Sequence, residues 1–417
     1  MKEVECWQAL LSGDVKRAVG GFNALCAAED SVNAHAGLFL AAAAVGAYDQ
    51  AHQIVTQRQA RHGDAGLMLW RAVWVAARNR LAPFVERAEA CLSAGDLPEA
   101  WRAPCAYGRG HMAALDGDLE AAVDRFIEAG RLFAADPDFF LAKADDALKS
   151  TAFQSMHMLS RERFAALGGQ DDAPVEPPPD WIGAPAGADV PGNDRQIMIA
   201  ADPHYLKRFG PPFLESLARV EGPCALHVHL VDGGRADFDA FAGAAPAGAA
   251  IHLTGSLARS DHWAVRKPPV YASARFLAGP HIVEWLARPT LVLDIDLQLM
   301  RPIAPFFETV RTHDFCCIIR PDGGPGGYCF AAATGFAPGQ GVAMARLTGA
   351  YIAARFEAEA ERLWFVDQAA LFRAAVHLKQ RAGREGGDGF AWGDFAAEAG
   401  ALTDFFEHAE ETPDKRR

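Results

Sequence analysis

The chain has 417 residues, 50% of them hydrophobic, and carries 40 lysines and arginines against 53 aspartates and glutamates, a formal net charge of −13. That length can bury a large core and predicts two domains, while the acidic balance argues against nucleic acid, whose phosphate backbone needs a broad basic surface. With no uninterrupted apolar run of about 18 residues, and no basic and apolar regions after Met1, neither a membrane span nor a signal peptide is expected; the protein reads as cytoplasmic.

Residues 1–167 are alanine-rich, with the amphipathic periodicity of helices. A short pattern recurs there at about 33 to 37 residues: Gly13 to Ala18, Gly46 to Ala51, a weaker version from Arg80 to Ala88, and Gly117 to Ala122, followed by Phe126 and Pro137. This period resembles tetratricopeptide repeats, which implies a helical-repeat scaffold that grips a peptide, a partner protein or another copy of itself. The alternative is a non-repetitive helical bundle. Residues 168–194 are rich in proline and glycine and read as a linker.

From residue 195 to 417 strands and helices alternate, which predicts a mostly parallel sheet with ligands beyond the carboxyl ends of its strands. The predicted elements are strands at 196–201, 224–231 and 250–253, helices at 211–220 and 270–287, and a strand from Leu291 that runs through Asp294 and Asp296. Asp202, Asp232 and Asp294 all stand at strand ends. Eight cysteines, at 6, 26, 91, 105, 224, 316, 317 and 329, include no Cys-x-x-Cys pair and no zinc spacing, so reduced and mostly buried thiols are expected.

The run Leu291-Val292-Leu293-Asp294-Ile295-Asp296 is the most informative stretch. Residues i and i+2 of a strand share a face, so both carboxylates should converge where the apolar run ends. Buried carboxylates need a compensating cation, and paired oxygen ligands suit Mg²⁺ or Mn²⁺, ions that keep positions open for phosphate oxygens. Just upstream lie Arg259, His262, Arg266 and Lys267, then Tyr271 and Arg275 one helical turn apart. A basic cluster beside an acidic pair is a candidate diphosphate clamp, a task that suits the fixed donor fork of arginine. Two acids capping a turn and a solvated basic helix face are the plainer alternatives.

Four segments together, Ile197 to Tyr205, Tyr271 to Leu277, Leu291 to Asp296 with Arg301-Pro302-Ile303, and Trp364 to Leu371, resemble in order the glycosyltransferase family 8 group of GT-A fold enzymes. The resemblance implies a nucleotide-sugar donor, most simply UDP-linked, transfer of a hexose with retention, and a glycan, lipid or protein acceptor. It implies Mn²⁺ or Mg²⁺ on Asp294 and Asp296, and a donor nucleotide held by Ala200, Ala201, Asp202, Tyr205, Arg266, Lys267 and Ile295. Arg275 would stabilise the leaving diphosphate, with Asp367 and Gln368 against the donor sugar. The chain departs from the pattern in two places. Ala333-Thr334-Gly335 stands where relatives carry Asn-x-Gly, and the late histidine that serves as third metal ligand lacks its usual context, leaving His377 and His408 as candidates by position. The glycine-rich segment 320–327 reads as a plain connection, with a lid or acceptor loop as the alternative. Two other readings stay open: a nucleotidyltransferase, and a non-catalytic repeat scaffold bearing a relic transferase domain.

Overall fold

The structure is a computed structural model and describes residues 1–137, 152, 154–168, 178–184, 194–320, 328–358, 363–385 and 389–409. The chain divides into two compact units, the first within Met1–Leu159 and the second beginning at Ser160. The segment 321–327, named above as a lid or connection, lies outside the described residues.

Helices build the first unit, arranged among the described residues as four hairpins: Glu3–Leu11 with Val15–Glu29, Val32–Ala44 with Tyr48–His62, Ala65–Arg78 with Ala82–Ala94, and Ala103–Leu115 with Leu119–Ala135. The four hairpin turns are alike in detail. Gly13, Gly46, Arg80 and Gly117 all adopt left-handed backbone, with φ of +86°, +74°, +54° and +80°. In each, the N–H of the turn residue bonds the carbonyl three back, and the following N–H bonds the carbonyl five back, from Leu10 and Ala9 in the first turn to Ala114 and Ala113 in the last. This is the Schellman arrangement, which satisfies carbonyls that a helix end otherwise leaves open. Small residues let the helices approach closely: a Cβ on Gly37 would lie 2.3 Å from the Phe22 ring. One buried cation ties the unit together. Arg58 donates to both carboxylate oxygens of Asp64 at 2.7 and 2.8 Å, and to the carbonyl of Asp30 at 2.8 Å.

The second unit is built on an eight-stranded sheet, mostly parallel at its centre, flanked by helices. Its strands are β1 (Asp180–Ile182), β2 (Gln196–Ala201), β3 (Cys224–Val231), β4 (Ile251–Ala258), β5 (Thr290–Leu293), β7 (Phe315–Ile319), β8 (Cys329–Phe336) and β9 (Trp392–Asp394), in the order β1-β4-β3-β2-β5-β8-β7-β9. The strands β4, β3, β2 and β5 run parallel, and β8 is antiparallel to both β5 and β7. A two-stranded ribbon pairs β6 (Leu297–Leu299) with β10 (Phe406–His408). The strands β2 and β5 are almost wholly apolar because both faces are covered, and β3 is buried along its whole length, its His227 and His229 included. Helix Arg161–Gly168 belongs to this unit, its Phe164 packing against Tyr351. Asp180–Ile182, inside the proline-rich stretch, forms the edge strand β1, where Trp181 stacks on Trp285 with ring centroids 4.2 Å apart.

Several local expectations change. The helix expected at 211–220 begins at Pro203, with Pro211 and Pro212 inside it, because Asp202 supplies an N-cap and Pro203 sits where a missing N–H costs nothing. The helix expected at 270–287 is two helices, Lys267–Leu277 and Gly279–Leu286, broken at Ala278 before Gly279-Pro280. The strand expected at 250–253 extends as β4 to Ala258, and the one expected to hold both acids stops at Leu293. Asp294 to Asp296 instead form a tight turn, closed by a bond from the Leu297 N–H to the Asp294 carbonyl at 3.2 Å. Strand geometry therefore does not set the two carboxylates on one face. Among the described residues no helix is long and apolar enough to cross a membrane.

Candidate active site

Neighbouring parallel strands β3, β2 and β5 end together, bringing Asp232, Asp202 and Asp294 to one edge of the sheet. Each carboxylate does something different there. Asp202 caps helix Pro203–Val220, accepting from the N–H groups of His204 and Tyr205 at 2.7 and 3.0 Å. Asp232, in left-handed backbone at φ +57°, accepts from the Ser260 N–H at 2.8 Å, the Lys267 amine at 2.9 Å and the Tyr271 hydroxyl at 2.9 Å. Burial pushes this carboxyl up, but hydrogen bonds from Ser260, Lys267 and Tyr271 outweigh it and hold it well below the ordinary carboxylate range.

Asp294 is engaged by a cation. Its N–H joins the sheet at the Ala332 carbonyl, and its carboxylate ion-pairs with the Arg275 guanidinium. Arg275 comes from helix Lys267–Leu277 and is 8% exposed. Its other terminal nitrogen lies 3.6 Å from the Asp367 carboxylate and donates to the Ala331 carbonyl at 3.3 Å, while its buried Nε meets no acceptor. Asp367 opens helix Val366–Glu385 and is equally buried. Burial raises its pKa, opposed by the Arg275 charge and by the Gln368 N–H, which donates to it at 2.8 Å. One desolvated cation thus stands between two carboxylates at the end of a parallel sheet. Just before the pair, Phe365 adopts φ +66° and Trp364 is 49% exposed.

The remaining candidates divide. Ala201 and Ile295 have buried side chains within the core, so only their backbone could meet a ligand. Tyr205 is half-buried with its ring on Phe209 at 5.1 Å. Arg266 and Lys267 are exposed at the head of their helix, the Lys267 amine on Asp232. In the Ala333-Thr334-Gly335 segment, Thr334 is wholly buried, its hydroxyl without a partner, and a Cβ on Gly335 would lie 2.2 Å from Val310. Packing accounts for that glycine.

Of the two histidine candidates, His377 sits against Phe164, with ring centroids 5.1 Å apart, about 15 Å of helix beyond Asp367 at 1.5 Å per residue. His408 lies opposite Leu297 in the β6–β10 ribbon, and the next residue, Ala409, donates to the Asp296 carbonyl at 2.9 Å. Among the described residues no three His, Cys, Asp or Glu side chains are gathered as a metal cage. Hard carboxylate oxygens on Asp294 and Asp296 are nonetheless the donor type that Mg²⁺ and Mn²⁺ take.

The bonds that Asp232 makes escaped sequence reading, although its place at a strand end before Gly233-Gly234 was visible. A buried histidine pair escaped it altogether: His227 and His229 share the Ser256 hydroxyl, at 2.8 and 2.9 Å.

No family model matches the chain, and no curated protein matches it. Among solved structures it is similar to the galactosyltransferase LgtC in complex with donor and acceptor sugar analogues, at 16% identity and a TM-score of 0.34, over 42% of this chain and 70% of that one. An active-site mutant of LgtC is similar over the same shares, at 16% identity and a TM-score of 0.33.

Proposed function

We propose that the sheet unit is a glycosyltransferase that moves a hexose from a nucleotide-sugar donor, UDP-linked, to a glycan, lipid or protein acceptor, with retention. The observation that carries this reading is Arg275, buried between Asp294 and Asp367 where parallel strands end. In that position the guanidinium meets negative charge as it develops on a leaving diphosphate, and acts in a desolvated setting where such charge is felt strongly. Asp367 and Gln368 hold the donor sugar, and the end of β2 with Asp202 and Tyr205 receives the nucleoside. Arg266 and Lys267 offer exposed cations to the phosphates.

Asp294 and Asp296 would hold Mn²⁺ or Mg²⁺, whose remaining positions stay open for donor phosphate oxygens. When bound, the ion neutralises the diphosphate. The helical unit, read as a degenerate tetratricopeptide-like array, recruits the acceptor, a partner or a second copy.

The test is thermal unfolding with UDP and other nucleoside diphosphates, with and without Mn²⁺. A ligand at a hundredfold its dissociation constant stabilises the folded state by about 2.7 kcal/mol. A metal-dependent rise that is lost in Asp294→Asn and Asp296→Asn is expected. No rise with any nucleoside diphosphate, with or without Mn²⁺, would overturn the reading.

A further inference from the structure

Helix Lys267–Leu277 carries three functional side chains at four-residue spacing, Lys267, Tyr271 and Arg275, which places them along one face. The first two end on the Asp232 carboxylate and the third on Asp294. The start of this helix is poorly fixed by its own backbone. Arg266 at the N-cap makes no side-chain cap, and Pro268 and Pro269 lack the N–H groups a cap would take. Asp232 supplies what is missing. It bonds the amine of the first helical residue and a hydroxyl one turn on, while the Ser260 N–H and hydroxyl anchor the carboxylate from the loop after β4. Its side chain is 13% exposed, and it holds φ +57°, a conformation that costs a non-glycine residue on the order of 1 kcal/mol or more.

We propose that Asp232 is a positioning residue for Arg275: it fixes the register of helix Lys267–Leu277 on the sheet and thereby delivers the guanidinium to the gap between Asp294 and Asp367. Its consequence for catalysis rests on the sugar-transfer reading; the positioning itself does not. A strained carboxylate at the end of β3 sets where a cation stands at the end of β5. Lys267, released from Asp232, could turn to a bound phosphate, but Tyr271 and Ser260 would keep the helix in place.

Two measurements on the full chain test this without any ligand. Amide hydrogen exchange should accelerate about tenfold or more over residues 270–277 in Asp232→Ala, with helix Pro203–Val220 unchanged. In Asp232→Asn, whose one oxygen can still serve the Ser260 and Tyr271 hydroxyls while its amide meets the Ser260 N–H, and which tolerates positive φ, part of the protection should return. The losses of melting temperature from Asp232→Ala and Arg275→Ala should also fall short of additive in the double variant. Unchanged exchange over 270–277 in Asp232→Ala, or strict additivity, would overturn the proposal. UDP affinity, measured separately in Mn²⁺, should weaken about tenfold in Asp232→Ala and recover in part in Asp232→Asn. Absence of UDP binding in the wild type would count against the transferase reading alone.

Discussion

Arg275 and Asp294 form an ion pair between the last turn of a helix and the tight turn that follows β5, and Asp367 stands 3.6 Å from the same guanidinium. Because Arg275 is buried while the Asp294 side chain is 29% exposed, the two substitutions are unequal. Arg275→Ala strips the buried Asp367 of its cation and should cost about 2–4 kcal/mol in urea unfolding, the lower part of the range reflecting solvent near Asp294. Asp294→Ala leaves Asp367 paired and should cost about half as much. Equal losses would mean that Asp367 does not share the charge.

Asp367→Asn tests the sugar end of the site. The amide keeps an oxygen for the Gln368 N–H but loses the charge facing Arg275. UDP affinity should stay within about twofold, and sugar transfer and donor hydrolysis should fall on the order of 10²-fold, as for contacts realised mainly in the transition state. An affinity loss matching the rate loss would move Asp367 to the diphosphate.

The histidine pair on β3 predicts a pH dependence. Burial, with the neighbouring His229 charge adding to it, lowers His227 to about 3, and burial lowers His229 to about 4. Both stay neutral in the fold and take up protons near pH 6.5 when unfolded. Between those values the unfolded chain binds more protons, so stability rises with pH; the contribution is complete above about 6.5 and is lost as pH falls toward 4. The slope should approach about 1.4 kcal/mol per pH unit for each histidine near pH 5. A double His227→Gln, His229→Gln variant, refolded and compared by chemical unfolding at pH 5 and 7, should show a shallower slope. An unchanged slope would assign the dependence elsewhere.

Arg80 offers a simple gain. It occupies the left-handed turn position that glycine fills in the other three hairpins, and its guanidinium pairs with Asp116 at 3.1 Å on the surface. Arg80→Gly should raise the stability of the helical unit by up to about 1 kcal/mol, less the few tenths lost with an exposed ion pair, whereas Gly117→Ala should lower it by about 1 kcal/mol. Thermal unfolding decides; destabilisation by Arg80→Gly would show the surface pair to outweigh the strain.

The two characters of the chain were legible in the sequence because they rest on periodicity. Alanine-rich amphipathic stretches between glycine turns specify helical hairpins, and the recurring pattern marked even Arg80, where glycine is absent. Apolar runs such as Cys224–Val231, followed by acids, likewise predicted buried parallel strands whose ends meet at one edge. What the sequence could not decide is where side chains find their partners. Asp294 and Asp296 looked like neighbours on a strand face, but hydrogen bonding ends β5 at Leu293 and turns the chain, leaving Asp294 with Arg275. Lys267 and Arg275 looked like members of one basic cluster, yet the helix delivers the first to Asp232 and the second to Asp294 and Asp367. Local pattern determines which groups are available within a turn or two of chain. Pairing between segments depends on strand order and helix register, which only the packed core settles.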